Sequence, residues 1–222
     1  MGNTEILGYL PEIAILVFAS VFGMIRMFKK TVPMYFQLTI CAVWSFAIQM
    51  IYSVLIIVCA NDYRSDNNLG FLGMATTSIF LASANFGQFN TLVDEGSKKL
   101  RPIRLAALLA PIFVAAFYLY IILHFEQTLW FKFIFAVVVI PVAASQYFNV
   151  KFILMKDDGT GFIRGVKPLN IVSFLASICY LLYIYADCKQ WETVGTLASF
   201  LSVLLVSSIV FLGDWGRKQW FK

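Results

Sequence analysis

Asn170, Ser173, Ala176, Ser177, Tyr180 and Asp187 are small or polar residues spaced three, four or seven apart. They lie within 168–188, PLNIVSFLASICYLLYIYADC, which carries no charge before Asp187. The spacing puts all six on one face of a helix, and the remaining face is Leu, Ile, Val and Phe. About twenty such residues are enough for a helix to cross a bilayer. A spanning helix with one polar face turns that face toward other helices or a cavity, because lipid cannot satisfy it.

The same neutral chemistry recurs along the chain. Cys41, Ser45, Gln49 and Tyr52 share one face of the second apolar stretch. The third is small or polar on two sides: Ser78, Ala82, Asn85 and Gln88 on one, Thr76, Ser83, Gly87 and Asn90 on the other. That pattern predicts a central helix, with Ser83 and Gly87 admitting a neighbouring backbone. Ser145, Gln146 and Asn149 stand in the fifth, and Gly195, Ser199, Ser202 and Gly213 line the seventh, suited to close packing against the third or sixth. Counted by helical rise, the polar groups fall at two depths with an apolar middle between them. Gln49, Tyr52, Tyr180, Tyr183 and Asp187 lie toward the outside. Asn85, Gln88, Gln146, Asn149, Asn170 and Ser173 lie toward the inside. The candidate ligand-binding set is Gln49, Tyr52, Asn85, Gln88, Gln146, Asn149, Ser173, Ser177, Tyr180 and Asp187. Amides and hydroxyls beside aromatic rings suit a neutral or amphiphilic solute such as a sugar, amide, nucleobase or lipid headgroup. A permanently charged ligand needs a buried counter-charge, and none is evident in the middle of any stretch.

Several chemistries are excluded. The sole histidine, His124, follows the fourth stretch, so a multi-histidine zinc site cannot form and a serine nucleophile has no partner at depth. No lysine lies in mid-membrane for a Schiff base. Cys41, Cys59, Cys179 and Cys188 form no C-x-x-C pair; they read as small apolar fillers, with a Cys59–Cys188 disulfide at the outer ends as the alternative. The stretch KDDGTGFIRGVKP lacks the spacing of a phosphate or calcium loop and reads as a solvated turn. No catalytic residue, metal site or cofactor is expected.

The elements that position these groups are membrane helices. The 222 residues are 60% hydrophobic and only 13% charged, too few charges for a soluble surface. Seven apolar stretches, roughly 11–28, 33–60, 70–92, 103–125, 128–155, 168–188 and 192–213, consume nearly the whole chain as a single domain, 1–222. The expected fold is all-α, a polytopic seven-helix bundle in a plasma or inner membrane. Placing the N-terminus outside and the C-terminus in the cytoplasm leaves only Arg64, Lys132 and Lys189 of the seventeen Lys and Arg residues outside. The net charge of +5 is therefore topology, and nucleic acid is not an expected partner. The leader MGNTEILGYLPE is acidic, unlike a signal peptide, and Ile6 stands where a myristoylation signal needs Ser or Thr. Glu12 is expected at the outer end of the first helix, in reach of water. Pro33 opens the second helix, Pro111 lies in a peripheral fourth helix, and Pro141 bends the fifth.

Superposing Pro33 on Pro168, an offset of 135, brings Ser45 onto Tyr180 and Tyr52 onto Asp187. Segments 11–92 and 128–213 then read as parallel repeats joined by a linker helix, 103–125. This three-plus-one-plus-three layout is similar to that of SWEET-type sugar transporters and PQ-loop proteins. The Pro-Gln dipeptide is absent, since Pro141 and Gln146 are separated, so no functional residue is carried over. The reading that follows is a membrane transport protein or facilitator. One alternative is a receptor that binds a ligand near its outer face and signals to a cytoplasmic partner through its basic loops. Another is a small subunit packed in a larger assembly or homo-oligomer.

Overall fold

The computed structural model describes residues 2–29, 32–60, 71–90, 94, 96, 98–157 and 161–219, and within them all side chains except those of 2–8, 29, 57, 59–60 and 88–89. Every described element is helical: α1 Gly2–Lys29, α2 Met34–Ala60, α3 Phe71–Ala84, a π turn Asn85–Asn90, a 3-10 turn Lys98–Leu100, α4 Arg101–Ala107, α5 Leu109–His124, α6 Leu129–Leu154, α7 Phe162–Cys188 and α8 Glu192–Gln219. Six spans among the described residues are long and apolar enough to cross a bilayer, α4 and α5 counting together as one, and Phe71–Gly87 is a shorter apolar helix. Phe28, Leu123, Leu129 and Ile140 are each at least 72% exposed. An apolar surface of that kind belongs in lipid. The chain is an integral membrane protein.

Helix ends follow local chemistry. The Pro33 carbonyl accepts from the amide of Phe36 at 3.0 Å, so α2 starts where expected. Thr128 caps α6 through Oγ1, which accepts from the Phe131 amide at 3.2 Å. Other boundaries differ from the sequence reading. Pro11 lies inside α1, which begins at Gly2. The predicted turn after α6 is shorter, because α7 begins at Phe162 behind Gly161, whose φ of 73° is open to glycine. The expected single helix 103–125 is broken at Leu108. Pro111 has no N–H for the Ala107 carbonyl, and α5 restarts with the amide of Ile112 on the carbonyl of Leu108 at 3.3 Å.

Side-chain contacts set the register. Thr77 Oγ1 donates to the Ala42 carbonyl at 3.1 Å, and Gly73 lies against Gln49, so α2 and α3 are antiparallel. Phe71 lies edge-on to Phe131 at 6.0 Å and Phe86 edge-on to Phe148 at 5.8 Å, so α3 and α6 run the same way. Glu12 meets Ser199 and Arg26 meets Asp214, so α1 and α8 also run the same way. Helices α7 and α8 cross with their backbones close together, where a Cβ at Gly216 would stand 2.5 Å from the Gly165 carbonyl oxygen. The small stripe of α8 serves α7, α1 and α2, and not α3; a Cβ at Gly213 would stand 3.1 Å from the Phe36 ring. Helix α5 packs chiefly on α6 and exposes Ile112, Phe113 and Leu119, in accord with a peripheral position.

Helix α3 is central on one side only. Met74, Thr77, Ser78, Leu81 and Asn85 are buried, whereas Thr76, Ile79, Ser83 and Gly87 are exposed. Nothing stands within 4 Å of where a Gly87 Cβ would be, so the expected close approach at Ser83 and Gly87 does not occur.

Candidate functional site

Three helices bring their amides together at one end of the bundle, where α3 passes into its π turn and α6 nears its C-terminus. Asn85 Nδ2 donates to Asn170 Oδ1 at 2.9 Å and, more weakly, to Asn149 Oδ1 at 3.5 Å. Asn149 Nδ2 donates to Ser173 Oγ at 3.0 Å. Asn170 Nδ2 returns to the Val166 carbonyl at 3.1 Å. All four residues are fully buried. Asn85 opens the π turn, whose extra residue per turn changes the direction of the side chains that follow. This knot links α3, α6 and α7, and most of its hydrogen-bonding capacity is met internally.

The polar line does not stop there. In the antiparallel register set by Asn149 and Ser173, Ser145 comes level with Ser177. Gln146 lies one turn before Asn149 on α6, buried, and among the described residues neither its Nε2 nor its Oε1 has a hydrogen-bond partner. Ser145 Oγ, Ser78 Oγ and Asn85 Oδ1 are likewise buried and unpartnered. Ser177 Oγ donates to the Ser173 carbonyl at 3.1 Å. Further along α7, the Tyr180 hydroxyl faces the Gln49 amide without reaching hydrogen-bond geometry, and Phe46 lies edge-on to the Tyr180 ring at 6.5 Å. The expected apolar middle is thus occupied: Ser78, Ser145, Gln146 and Ser177 join the two layers into one seam. A buried polar atom without a partner costs about 1–3 kcal/mol, so a cluster of them marks a place that water or a ligand satisfies.

Below the knot lies a charged cluster that the sequence reading missed. Asp94 accepts from Arg104 Nε at 2.9 Å and from Arg104 Nη2 at 2.8 Å, while the Gly96 amide reaches it at 3.1 Å. Lys151 Nζ donates to both Asp94 and Asn90, and its side chain is 2% exposed. Burial alone would raise the Asp94 carboxyl; the bonds from Lys151, Arg104 and Gly96 outweigh it and hold the group below the usual carboxylate range. In the sequence Lys151 and Arg104 read as orientation charges and as parts of the basic loops open to a cytoplasmic partner. The signal available was Asn90–Asp94 falling beside two cations once α3 and α6 are aligned. A second acid, Asp214, binds Arg217, Lys218 at 2.8 Å and Arg26 at 4.0 Å, beside the Tyr35 hydroxyl on the Gly213 carbonyl at 2.9 Å.

The remaining sequence candidates part company. Asp187 is exposed at the C-terminal end of α7, away from the buried seam. Tyr52 is half-buried on α2. The Gln88 side chain lies outside the described residues, as does that of Cys59; Cys188 carries a free thiol, so its expected alternative disulfide is not formed. Glu12 does not stand exposed at the start of its helix: it lies well inside α1, 3% exposed.

Comparison of the chain with protein-family models, with curated proteins and with solved structures gives no match.

Proposed function

We propose that the chain is a membrane facilitator or transporter that passes a small neutral or amphiphilic solute along the α3–α6–α7 seam. The observation that carries this reading is Gln146, a buried amide with both ends unpartnered between the asparagine knot and the Tyr180–Gln49 pair. Such a side chain needs a hydrogen-bonding occupant, and the neutral groups around it suit an uncharged one.

The same reading takes seven crossings with the N-terminus outside. A chain that changes side at every span sets α1 and α8 parallel only if an odd number of crossings separates them. The segments α2, α3 with its π turn, α4–α5, α6 and α7 make five; omitting α3 would set α1 and α8 antiparallel. Residues 71–90 are about 30 Å long at helical rise, enough for the hydrocarbon core. The neighbour pattern also supports two repeats. Exchanging α1, α2, α3 with α6, α7, α8 maps α1·α2 onto α6·α7, α2·α3 onto α7·α8, and α3·α6 onto α8·α1. It also maps α2·α8 onto the α7–α3 contact made by Asn170 and Asn85.

The test is flux of sugars, amides and nucleobases into proteoliposomes. Asn85→Leu and Gln146→Leu are each expected to reduce it; unchanged flux in both removes the seam as a pathway. Saturable binding without flux would favour the receptor reading instead.

A further inference from the structure

Glu12 sits three residues inside the apolar span Tyr9–Phe28 and is 3% exposed. Its Oε2 accepts from Ser199 Oγ at 3.1 Å. The other two buried acids, Asp94 and Asp214, are each held by cations, whereas among the described residues no Lys or Arg pairs with Glu12. A carboxylate in hydrocarbon without a counter-charge is expensive, and the neutral acid is its affordable form. A second observation lies on the same pair of helices. Glu12 against Ser199 and Gly23 against Val210 set an offset of 187, which places Ser20 opposite Ser207. Both hydroxyls are buried and have no hydrogen-bond partner among the described residues. The α1–α8 seam therefore holds a buried acid near its outer end, unmet hydroxyls at mid-depth and the Asp214 ion cluster at its inner end.

We propose that Glu12 is a proton-binding carboxyl, exchanging its proton with the outer aqueous phase past Ser199, with Ser20 and Ser207 as the next polar step inward. This seam is separate from α3–α6–α7, and the proposal stands whether or not that one conducts. The titratable groups near Glu12 are few. Tyr9 lies one turn before it on α1, and Tyr52 of α2 is level with it in the register set by Gly23 and Ile40. Glu192 lies two turns outward of Ser199 on α8. The Glu5 side chain is outside the described residues, and Asp214 with Arg26, Arg217 and Lys218 lies about four turns inward.

The test uses the intact protein in zwitterionic liposomes with dicyclohexylcarbodiimide, an apolar reagent that adds to protonated carboxyls. The acid proton passes to a carbodiimide nitrogen, the carboxylate oxygen bonds to its central carbon, and migration of the acyl group to nitrogen leaves a stable N-acylurea with no leaving group. Peptide mass spectrometry should find the adduct on Glu12 and not on Asp94 or Asp214, with labelling falling as pH rises. Ser199→Ala keeps the acid and should keep the label. In infrared spectra a protonated-carboxyl C=O band should disappear in Glu12→Gln and shift in Ser199→Ala. Failure to label Glu12 at any pH, or retention of that band in Glu12→Gln, overturns the proposal. So does protection of Glu12 by sodium at constant pH, which would make the site one for a metal cation.

Discussion

Gln146→Leu separates a hydrated seam from a dry one by the sign of its effect on stability. Leucine roughly preserves the volume while removing two buried amide atoms that have no partner. In a dry core those atoms cost about 1–3 kcal/mol each, so their removal would stabilise the fold by roughly 2–6 kcal/mol. In a seam filled by water or solute the atoms are already satisfied, and the substitution should change stability by less than about 1 kcal/mol. One turn inward, Asn149→Leu acts in the opposite direction. It strands Ser173 Oγ and leaves the Asn85 amide only Asn170, so a loss of about 1–3 kcal/mol is expected. The assay is equilibrium unfolding of both variants in the same lipid–detergent mixture, alongside solute flux. A Gln146→Leu protein several kcal/mol more stable than the parent, with unchanged flux, would refute the reasoning.

Other outcomes follow from single contacts. Asp94→Asn should destabilise the inner end by about 3–5 kcal/mol by leaving Lys151 buried without its acid. Because the folded Asp94 lies below its unfolded value near 3.9, its contribution is present above about pH 4 and lost as pH falls through the folded value. Unfolding titrations below pH 4 should therefore show an acid limb that is weaker in Asp94→Asn. Gly216→Ala drives a methyl to 2.5 Å from the Gly165 carbonyl oxygen, and backbone cannot yield cheaply, so a melting measurement should show a loss of roughly 1–3 kcal/mol. Gly87→Ala meets nothing within 4 Å and should be neutral or slightly stabilising, by up to about 1 kcal/mol.

Membrane helices and their polar faces were legible because composition and a period near 3.6 suffice to read them. The face of Asn170, Ser173, Ser177 and Tyr180 is buried as a set in α7. Depth counted along each helix also brought Asn85, Asn149, Asn170 and Ser173 to one level, where they do hydrogen-bond. What failed depends on pairs of helices rather than single ones. Periodicity says that α3 has two polar sides but not that Ser83 and Gly87 face outward. It cannot foresee the π turn that begins at Asn85 and re-aims the side chains after it. Lys151 looked like a topology signal because the partners that bury it, Asn90 and Asp94, are about 60 residues away. Glu12 was misplaced for a related reason: Pro11 suggested a helix start, whereas α1 continues through it and carries the acid into the bundle.

The central claim is that water or solute occupies the α3–α6–α7 seam. It is tested most directly by thiol accessibility in a background lacking the four native cysteines. Ser145→Cys should react in liposomes with a small hydrophilic thiol reagent, whereas Val138→Cys, two turns away on α6 and fully buried among apolar side chains, should not. Equal inertness at both positions would mean that the unmet amides and hydroxyls lie in a dry core, and the account of a solute pathway would fail.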